Sequence, residues 1–259
     1  MSLNLHNLHI GYAEDASRYI VAEALNASLS KGTMACLVGA NGVGKSTLMR
    51  TLSGFQPALQ GAVYIEGKSI EEYTPRELSE RVGVVLTERN TTPDLTVEEV
   101  VAIGRMPYTN FWGKLTPADC RAVDEAIALV GIESLRHKKI GRVSDGERQK
   151  VMIAKALAQQ TGVILLDEPT AFLDYGSKVS VMRLLRRLAH EQGKSILLST
   201  HDLEIAFQTT DEVWILQRDG LQTGTLDALE QRGAVTKFLA MGGLRYDAGH
   251  RQIVIDEER

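Results

Sequence analysis

No stretch of the 259 residues reaches the roughly 18 consecutive apolar positions of a membrane-spanning helix, so no span is expected. The polar start Met1-Ser2-Leu3-Asn4 does not have the form of a secretion signal, and a cytosolic location is expected. Cysteine is scarce. Cys36 lies in an apolar strand-like run and Cys120 in a polar helix-like one, which makes neither a disulfide framework nor a spaced metal set. Both are expected to be reduced thiols. Positive charge is not in excess: 29 basic residues stand against 33 acidic ones, a formal charge of −4, which gives no support to a general nucleic-acid-coating role. Internal repeats and low-complexity tracts are also missing. What is left is an ordinary globular composition, 44% hydrophobic and 24% charged, in a chain long enough to bury a substantial core. Any connection to a membrane is then expected through docking onto another protein.

Along the chain, Leu3, Leu5, Leu8 and Ile10 alternate with polar residues as in a strand near a sheet surface, which Gly11-Tyr12 is expected to close. A second extended segment runs from about Ile20 to Leu29. Buried-looking strands are read at Met34 to Val38, Val82 to Leu86, Val163 to Leu166, Ile196 to Leu198 and Val213 to Leu216, with a further strand at Gly61 to Ile65. Helices are read near Lys45, over Pro75 to Arg81, and over Glu147 to Gln159, where Val151, Ala154, Leu157 and Ala158 recur at helical spacing. Val181, Leu184, Leu185 and Leu188 mark another. Helices alternating with apolar strands predict an α/β fold with a mostly parallel sheet. Between Thr96 and about Gly131 helices follow one another, separated by Pro107 and Gly113, as in a helical insert. Beyond Leu216 the pattern is less regular, ending in the short strand-like Gln252 to Ile255.

Gly39-Ala40-Asn41-Gly42-Val43-Gly44-Lys45-Ser46 matches the phosphate-loop pattern G-x-x-x-x-G-K-[ST], between an apolar strand and a helix. Glycines allow consecutive N–H groups to face an anion, and the helix start adds its positive end. Lys45 is expected to reach the β- and γ-phosphates, and Ser46 to offer its hydroxyl to Mg²⁺. The strand Val163 to Leu166 delivers Asp167, suited to Mg²⁺, and Glu168, suited to polarising the attacking water or accepting its proton. A strand ending at Ser199-Thr200-His201-Asp202 brings a histidine to the same edge, either as a γ-phosphate contact or as a helix cap.

Val143-Ser144-Asp145-Gly146-Glu147-Arg148-Gln149 resembles the signature segment of ATP-binding cassette proteins, and it stands between the phosphate loop and the Asp-Glu strand as in that family. Asp145 departs from the family's usual glycine. Locally the same residues read as a capping box, Ser144 with Glu147. The resemblance spans roughly residues 3 to 225. It implies a P-loop ATPase core with an N-terminal antiparallel β subdomain, a helical subdomain near 89 to 157 and a C-terminal extension near 226 to 259, all in one nucleotide-binding domain. It also implies that ATP and Mg²⁺ are held by Gly39 to Thr47, with Asn41, Gly42, Gly44, Lys45 and Ser46 among them, and by Asp167. Glu168, His201 and Lys45 are the implied catalytic residues. Tyr12, which without the family reads as a core or edge tyrosine, resembles the aromatic that stacks on adenine. Ala171-Phe172-Leu173-Asp174 looks like an intersubunit loop.

Family members work as head-to-tail pairs, so Ser144, Gly146 and Glu147 are implied to face the nucleotide of a second copy. Thr87 stands where the family usually has a glutamine near Mg²⁺, with Glu88 beside it. Leu95 through Tyr108, including Arg105 and Pro107, looks like the helical region of importers for iron chelates, haem and cobalamin. Read alone, that segment is an amphipathic helix with a solvated Arg105. The importer reading implies permease subunits as partners, with contacts around Glu88 to Arg105, an external binding protein indirectly, no nucleic acid, and a place on the cytoplasmic face of the membrane. The alternative is a soluble cassette ATPase acting in cofactor assembly or complex remodelling.

Overall fold

Short apolar runs flanked by turn residues become the central strands, and the longer amphipathic runs become the helices around them. A computed structural model describes residues 2–14, 17–86, 93–247, 249–250 and 252–256. In chain order the first elements are β1 (Leu3–Glu14), β2 (Ser17–Leu29), β3 (Met34–Val38), α1 (Lys45–Leu52), β4 (Gln60–Ile65), β5 (Lys68–Ser69), α2 (Pro75–Ser79) and β6 (Val82–Val85). Then follow α3 (Val97–Ala102), α4 (Pro117–Val130), α5 (Asp145–Ala158), β7 (Val163–Leu166), α6 (Tyr175–Gln192), β8 (Ser195–Ser199) and α7 (Leu203–Thr209). The chain continues with β9 (Glu212–Gln217), β10 (Gly220–Gly224), α8 (Leu226–Gln231), α9 (Ala234–Ala240), β11 (Leu244–Asp247) and β12 (Gln252–Ile255).

The central sheet has the order β10-β9-β3-β8-β7-β6, parallel from β9 to β6 with an antiparallel β10 at its edge. Its central strands β3, β8 and β7 are buried on both faces, and alternate residues part into two cores. Cys36, Val38, Leu166 and Leu198 join the helices α5 and α6 on one side. Leu37, Leu165, Leu197 and Trp214 join α1 and the antiparallel sheet β2-β1-β4-β5 on the other. The antiparallel sheet expected at the N-terminus is therefore the second layer of the core. Gly11 and Tyr12 do not close its first strand: β1 pairs onward with β2 through Gly11↔Ile20 and Tyr12↔Tyr19. Gly11 is there for space, since a Cβ would meet the Tyr19 carbonyl oxygen at 2.1 Å.

The helical insert is present as α3, α4 and α5, whose Val97, Val101, Val123, Ile127 and Val151 share one core with the parallel sheet. Pro107 lies within a 3₁₀ turn from Ile103 to Tyr108 that links α3 to the loop before α4. Arg105 corrects the sequence reading. It is not solvated but 5% exposed, with Nε 2.8 Å from the Asp119 carboxylate and Nη1 donating to the Ala158 carbonyl at 2.7 Å. The described part of the tail packs on this core: Leu229, Val235, Leu239 and Tyr246 are core residues, and the Tyr246 ring meets Phe207 edge to face at 6.2 Å.

Candidate active site

The loop after β3 is shaped by close approach. A Cβ on Gly39 would meet the Leu216 carbonyl oxygen at 2.5 Å. Gly44, the residue before α1, has φ +110°, where an L side chain is strained, and a Cβ there would meet Val21 Cγ1 at 2.4 Å. Lys45 opens α1 and turns back into the loop, its Nζ donating to the carbonyls of Gly39 at 2.8 Å and Ala40 at 3.2 Å. Burial pushes the Lys45 ammonium below its usual pKa, while the charges of Glu168 and Asp167 push it back up. Ser46 stays exposed, and the Thr47 hydroxyl lies 3.1 Å from the Tyr12 hydroxyl. Asn41 through Thr47 and Tyr12 thus meet in one cavity of about 740 Å³, which Gly39 does not line. Glu168, His201 and Arg218 line it as well.

Three neighbouring strand ends converge there. Register pairs Leu166 with Leu198 and Leu37 with Ser199, so β7 and β8 end beside the start of the phosphate loop. Ser199 is fully buried and joins both acidic residues: its hydroxyl donates to Asp167 Oδ1 at 2.6 Å and accepts the Glu168 N–H at 2.9 Å. Glu168 has φ +47°, an uncommon conformation for a side-chain-bearing residue, and one that clusters at functional sites. Its Oε1 lies 2.8 Å from His201 Nε2. The carboxylate only accepts, so the hydrogen of this contact belongs to the imidazole. The next residue, Asp202, is fixed by the Thr170 hydroxyl at 2.8 Å and by Lys178 Nζ at 2.8 Å.

The exposed Ser46 hydroxyl and the Asp167 carboxylate are hard oxygen donors, which fit Mg²⁺; such ions keep waters and phosphate oxygens in their remaining positions. Thr87, at the position where the family usually has its glutamine near Mg²⁺, and Glu88 lie outside the described residues.

Ser144 caps α5 as the spacing suggested, accepting the Glu147 N–H at 3.2 Å while Glu147 accepts the Ser144 N–H at 2.8 Å. That bond holds the Glu147 carboxyl below its ordinary pKa. Gly146 packs on Ser177, which a Cβ would approach to 3.0 Å, and Ser177 is in turn held by Asp174. Ser144, Gly146 and Glu147 do not line the cavity of Lys45. Within one chain the signature segment and the phosphate loop are separate surfaces.

The ABC transporter family pattern matches residues 22–171, which include the phosphate loop, the insert, the signature segment and Asp167-Glu168. The chain belongs to the ABC transporter family. This ABC ATPase is 38% identical over 205 residues to the iron(3+)-hydroxamate import ATP-binding protein FhuC of Bacillus subtilis (strain 168), covering 79% of this chain and 75% of that one. It is 37% identical to the ferric enterobactin transport ATP-binding protein FepC of Escherichia coli (strain K12), over 77% and 72% of the two chains. Among solved structures it resembles the dimeric, post-hydrolysis ATP-binding cassette MJ0796 bound to ADP and Pi, with a TM-score of 0.72, 26% identity, and coverage of 86% and 98%.

Sequence reasoning did not assign roles to Ser199 and Arg218 in this ABC ATPase. Ser199 closes a strand whose middle, Ile196 to Leu198, is apolar, and a polar residue at the end of that run was its only signal. Arg218 follows β9 by one residue and carries no local pattern.

Proposed function

We propose that this chain binds Mg²⁺-ATP in the Lys45 cavity and hydrolyses it to drive a membrane importer of iron-siderophore, haem or cobalamin. The observation that carries the chemistry is the convergence of the Lys45 loop and the Glu168–His201 pair on one cavity, with Asp167, held by Ser199, beside Glu168 and acting on the Lys45 charge. The importer assignment rests on the relatives, whose names are those of iron-hydroxamate, enterobactin and, in Halobacterium salinarum, cobalamin systems.

In this reading the Lys45 ammonium exchanges its loop carbonyls for phosphate oxygens, and Tyr12, 48% exposed beside Thr47, stacks on adenine. Mg²⁺ held by Ser46 and Asp167 supplies charge neutralisation at the phosphates. Glu168 accepts the proton of the attacking water, and the imidazole of His201 holds its carboxylate in place. Ser144, Gly146 and Glu147, remote from their own chain's cavity, face the nucleotide of a second copy; the dimeric cassette MJ0796 is a precedent for such pairing. ATP then favours the closed pair by binding it better, and hydrolysis removes that bias.

A permease loop docks in the apolar groove of about 500 Å³ lined by Phe55, Ile70, Tyr73, Leu78 and Val84, by Lys155 of α5 and by Gln159 just after that helix. Docked there, the chain sits at the cytoplasmic face of the membrane; among its described residues no helix is long and apolar enough to cross a membrane.

Glu168→Gln is expected to retain ATP binding while turnover falls roughly 100-fold, because a general base is lost and the cradle is kept. Lys45→Ala is expected to weaken ATP binding itself. Turnover of Glu168→Gln within about twofold of the parent removes Glu168 from the base role. Purification from membranes, followed by identification of a co-purifying permease, tests the importer assignment; crosslinks from Leu78→Cys that never reach a membrane subunit reject the groove.

A further inference from the structure

A second cavity, sharing no lining residue with that of Lys45, lies where the insert meets the core. It measures about 490 Å³ and is bounded by Val130 and Gly131 at the end of α4, Lys150 of α5, and the face of α6 that carries Val179, Ser180, Arg183, Leu184 and Arg187. Three cations line it, and no carboxylate does. Among the described residues none of the three takes part in an ion pair. Arg187 is partly committed, its Nη2 donating to the Leu129 carbonyl at 2.6 Å. Glu147, one turn before Lys150, feels that lysine's charge but is bound to the Ser144 amide.

In a chain of net charge −4 this cluster does not follow from a general excess of base. Arg183 and Arg187 are four apart on α6, a spacing at which like charges repel, so the arrangement costs stability unless an anion occupies it. Guanidinium forks and a neighbouring hydroxyl are the donors that recognise phosphate. The size is that of a small-molecule site, and Val130, Val179 and Leu184 offer apolar wall beside the charges.

We propose that this cavity binds a soluble phosphate-bearing small molecule, distinct from the nucleotide at Lys45. Its lining includes Gly176 and Ser180, on either side in sequence of Ser177, which holds Asp174 and packs against Gly146. A ligand there ties the insert, the signature helix and α6 together. The proposal does not depend on the transport assignment.

The test is calorimetric titration of inorganic pyrophosphate into the full chain carrying Lys45→Ala, which weakens anion binding at the phosphate loop. One saturable, salt-sensitive binding event is expected. Adding Arg183→Ala or Lys150→Ala is expected to weaken it about tenfold or more, as loss of a charge-assisted hydrogen bond does, while Arg183→Lys, which keeps the charge and loses the fork, falls between the parent and Arg183→Ala. Both alanine variants are checked for unchanged circular dichroism, and either alone suffices if the other fails to fold. Absence of saturable binding overturns the proposal, as does an affinity indifferent to both substitutions, which returns the pyrophosphate to the phosphate loop. Vesicles of phosphatidic acid form a second arm. Arg183-dependent sedimentation with them, without pyrophosphate binding, rejects a soluble ligand in favour of a lipid headgroup.

Discussion

At the scale of single residues the site depends on a hydroxyl that no motif announces. Ser199 holds the Asp167 carboxylate and the Glu168 amide at once, from a position without solvent exposure. Ser199→Ala is therefore expected to lower kcat roughly tenfold through misplacement of Asp167, the scale seen when partners of metal ligands are removed. The Mg²⁺ dependence of ATPase activity checks this: a weaker Mg²⁺ response is expected, and an unchanged one assigns Ser199 to packing alone. The two thiols separate in the same way. Burial pushes the Cys36 thiol up to about 12, whereas Cys120 is exposed on α4. Native protein is expected to label at Cys120 with a maleimide and to spare Cys36 until unfolded, as mass spectrometry of the labelled peptides will show. Lys45, Asp167 and Glu168 were legible because their chemistry fixes their spacing from a strand end. Ser199 was not, because a serine closing a strand has many uses.

At the scale of elements, the insert is held by a charge pair whose arginine, when its segment is read alone, is placed in solvent. Arg105 and Asp119 are both nearly fully buried, 2.8 Å apart, with the Arg105 guanidinium 3.9 Å over the Tyr108 ring. Periodicity marks apolar residues as buried and leaves charged ones outside by default, so a paired interior arginine is invisible to it. Capping boxes were legible by contrast: Ser144 and Glu147 are a local pattern complete within four residues. Arg105→Ala is expected to destabilise the fold by about 3–5 kcal/mol, since it leaves the Asp119 charge buried without its partner. The acid limb offers a check. Bonds from the Thr116 hydroxyl and amide, then the Arg105 guanidinium, hold the Asp119 carboxyl down at about 2, below its ordinary 3.8. A depressed acid contributes stability above its unfolded pKa and loses it as pH falls through the folded value. The Tm gap between the parent and Asp119→Asn should be full above about pH 4 and shrink toward pH 2. A gap independent of pH across that window would assign the loss to shape rather than charge.

At the scale of the whole molecule, the last thirty-odd residues decide whether the domain ends at its family resemblance or beyond it. The sequence between Thr225 and Asp256 shows only short, weakly periodic runs broken by Gly233 and Gly243, too brief for hydrophobic spacing to separate helix from loop. In the fold these runs become α8, α9 and the β11–β12 hairpin. Leu229 and Val235 have no exposure, Leu239 has 2%, and all join the core that also holds Phe207, Val213 and Ile215. Each such side chain contributes about 1.5–3 kcal/mol on burial, so three of them and the Tyr246 ring together amount to well over the effect of one surface contact. Ending the chain at Gly224 is accordingly expected to lower Tm by roughly 10 °C or more, at about 2–4 °C per kcal/mol for a domain of this size. It is also expected to expose Phe207 and Ile215 and so to promote aggregation on heating. Thermal unfolding of the shortened and full chains at equal concentration makes the comparison. If the two melt within about 3 °C of each other, the segment is an appendage packed on a core already complete without it. If instead the shortened chain melts early but regains the parent Tm with saturating ATP, the segment stabilises the fold without shaping the Lys45 cavity, whose lining stops at Arg218.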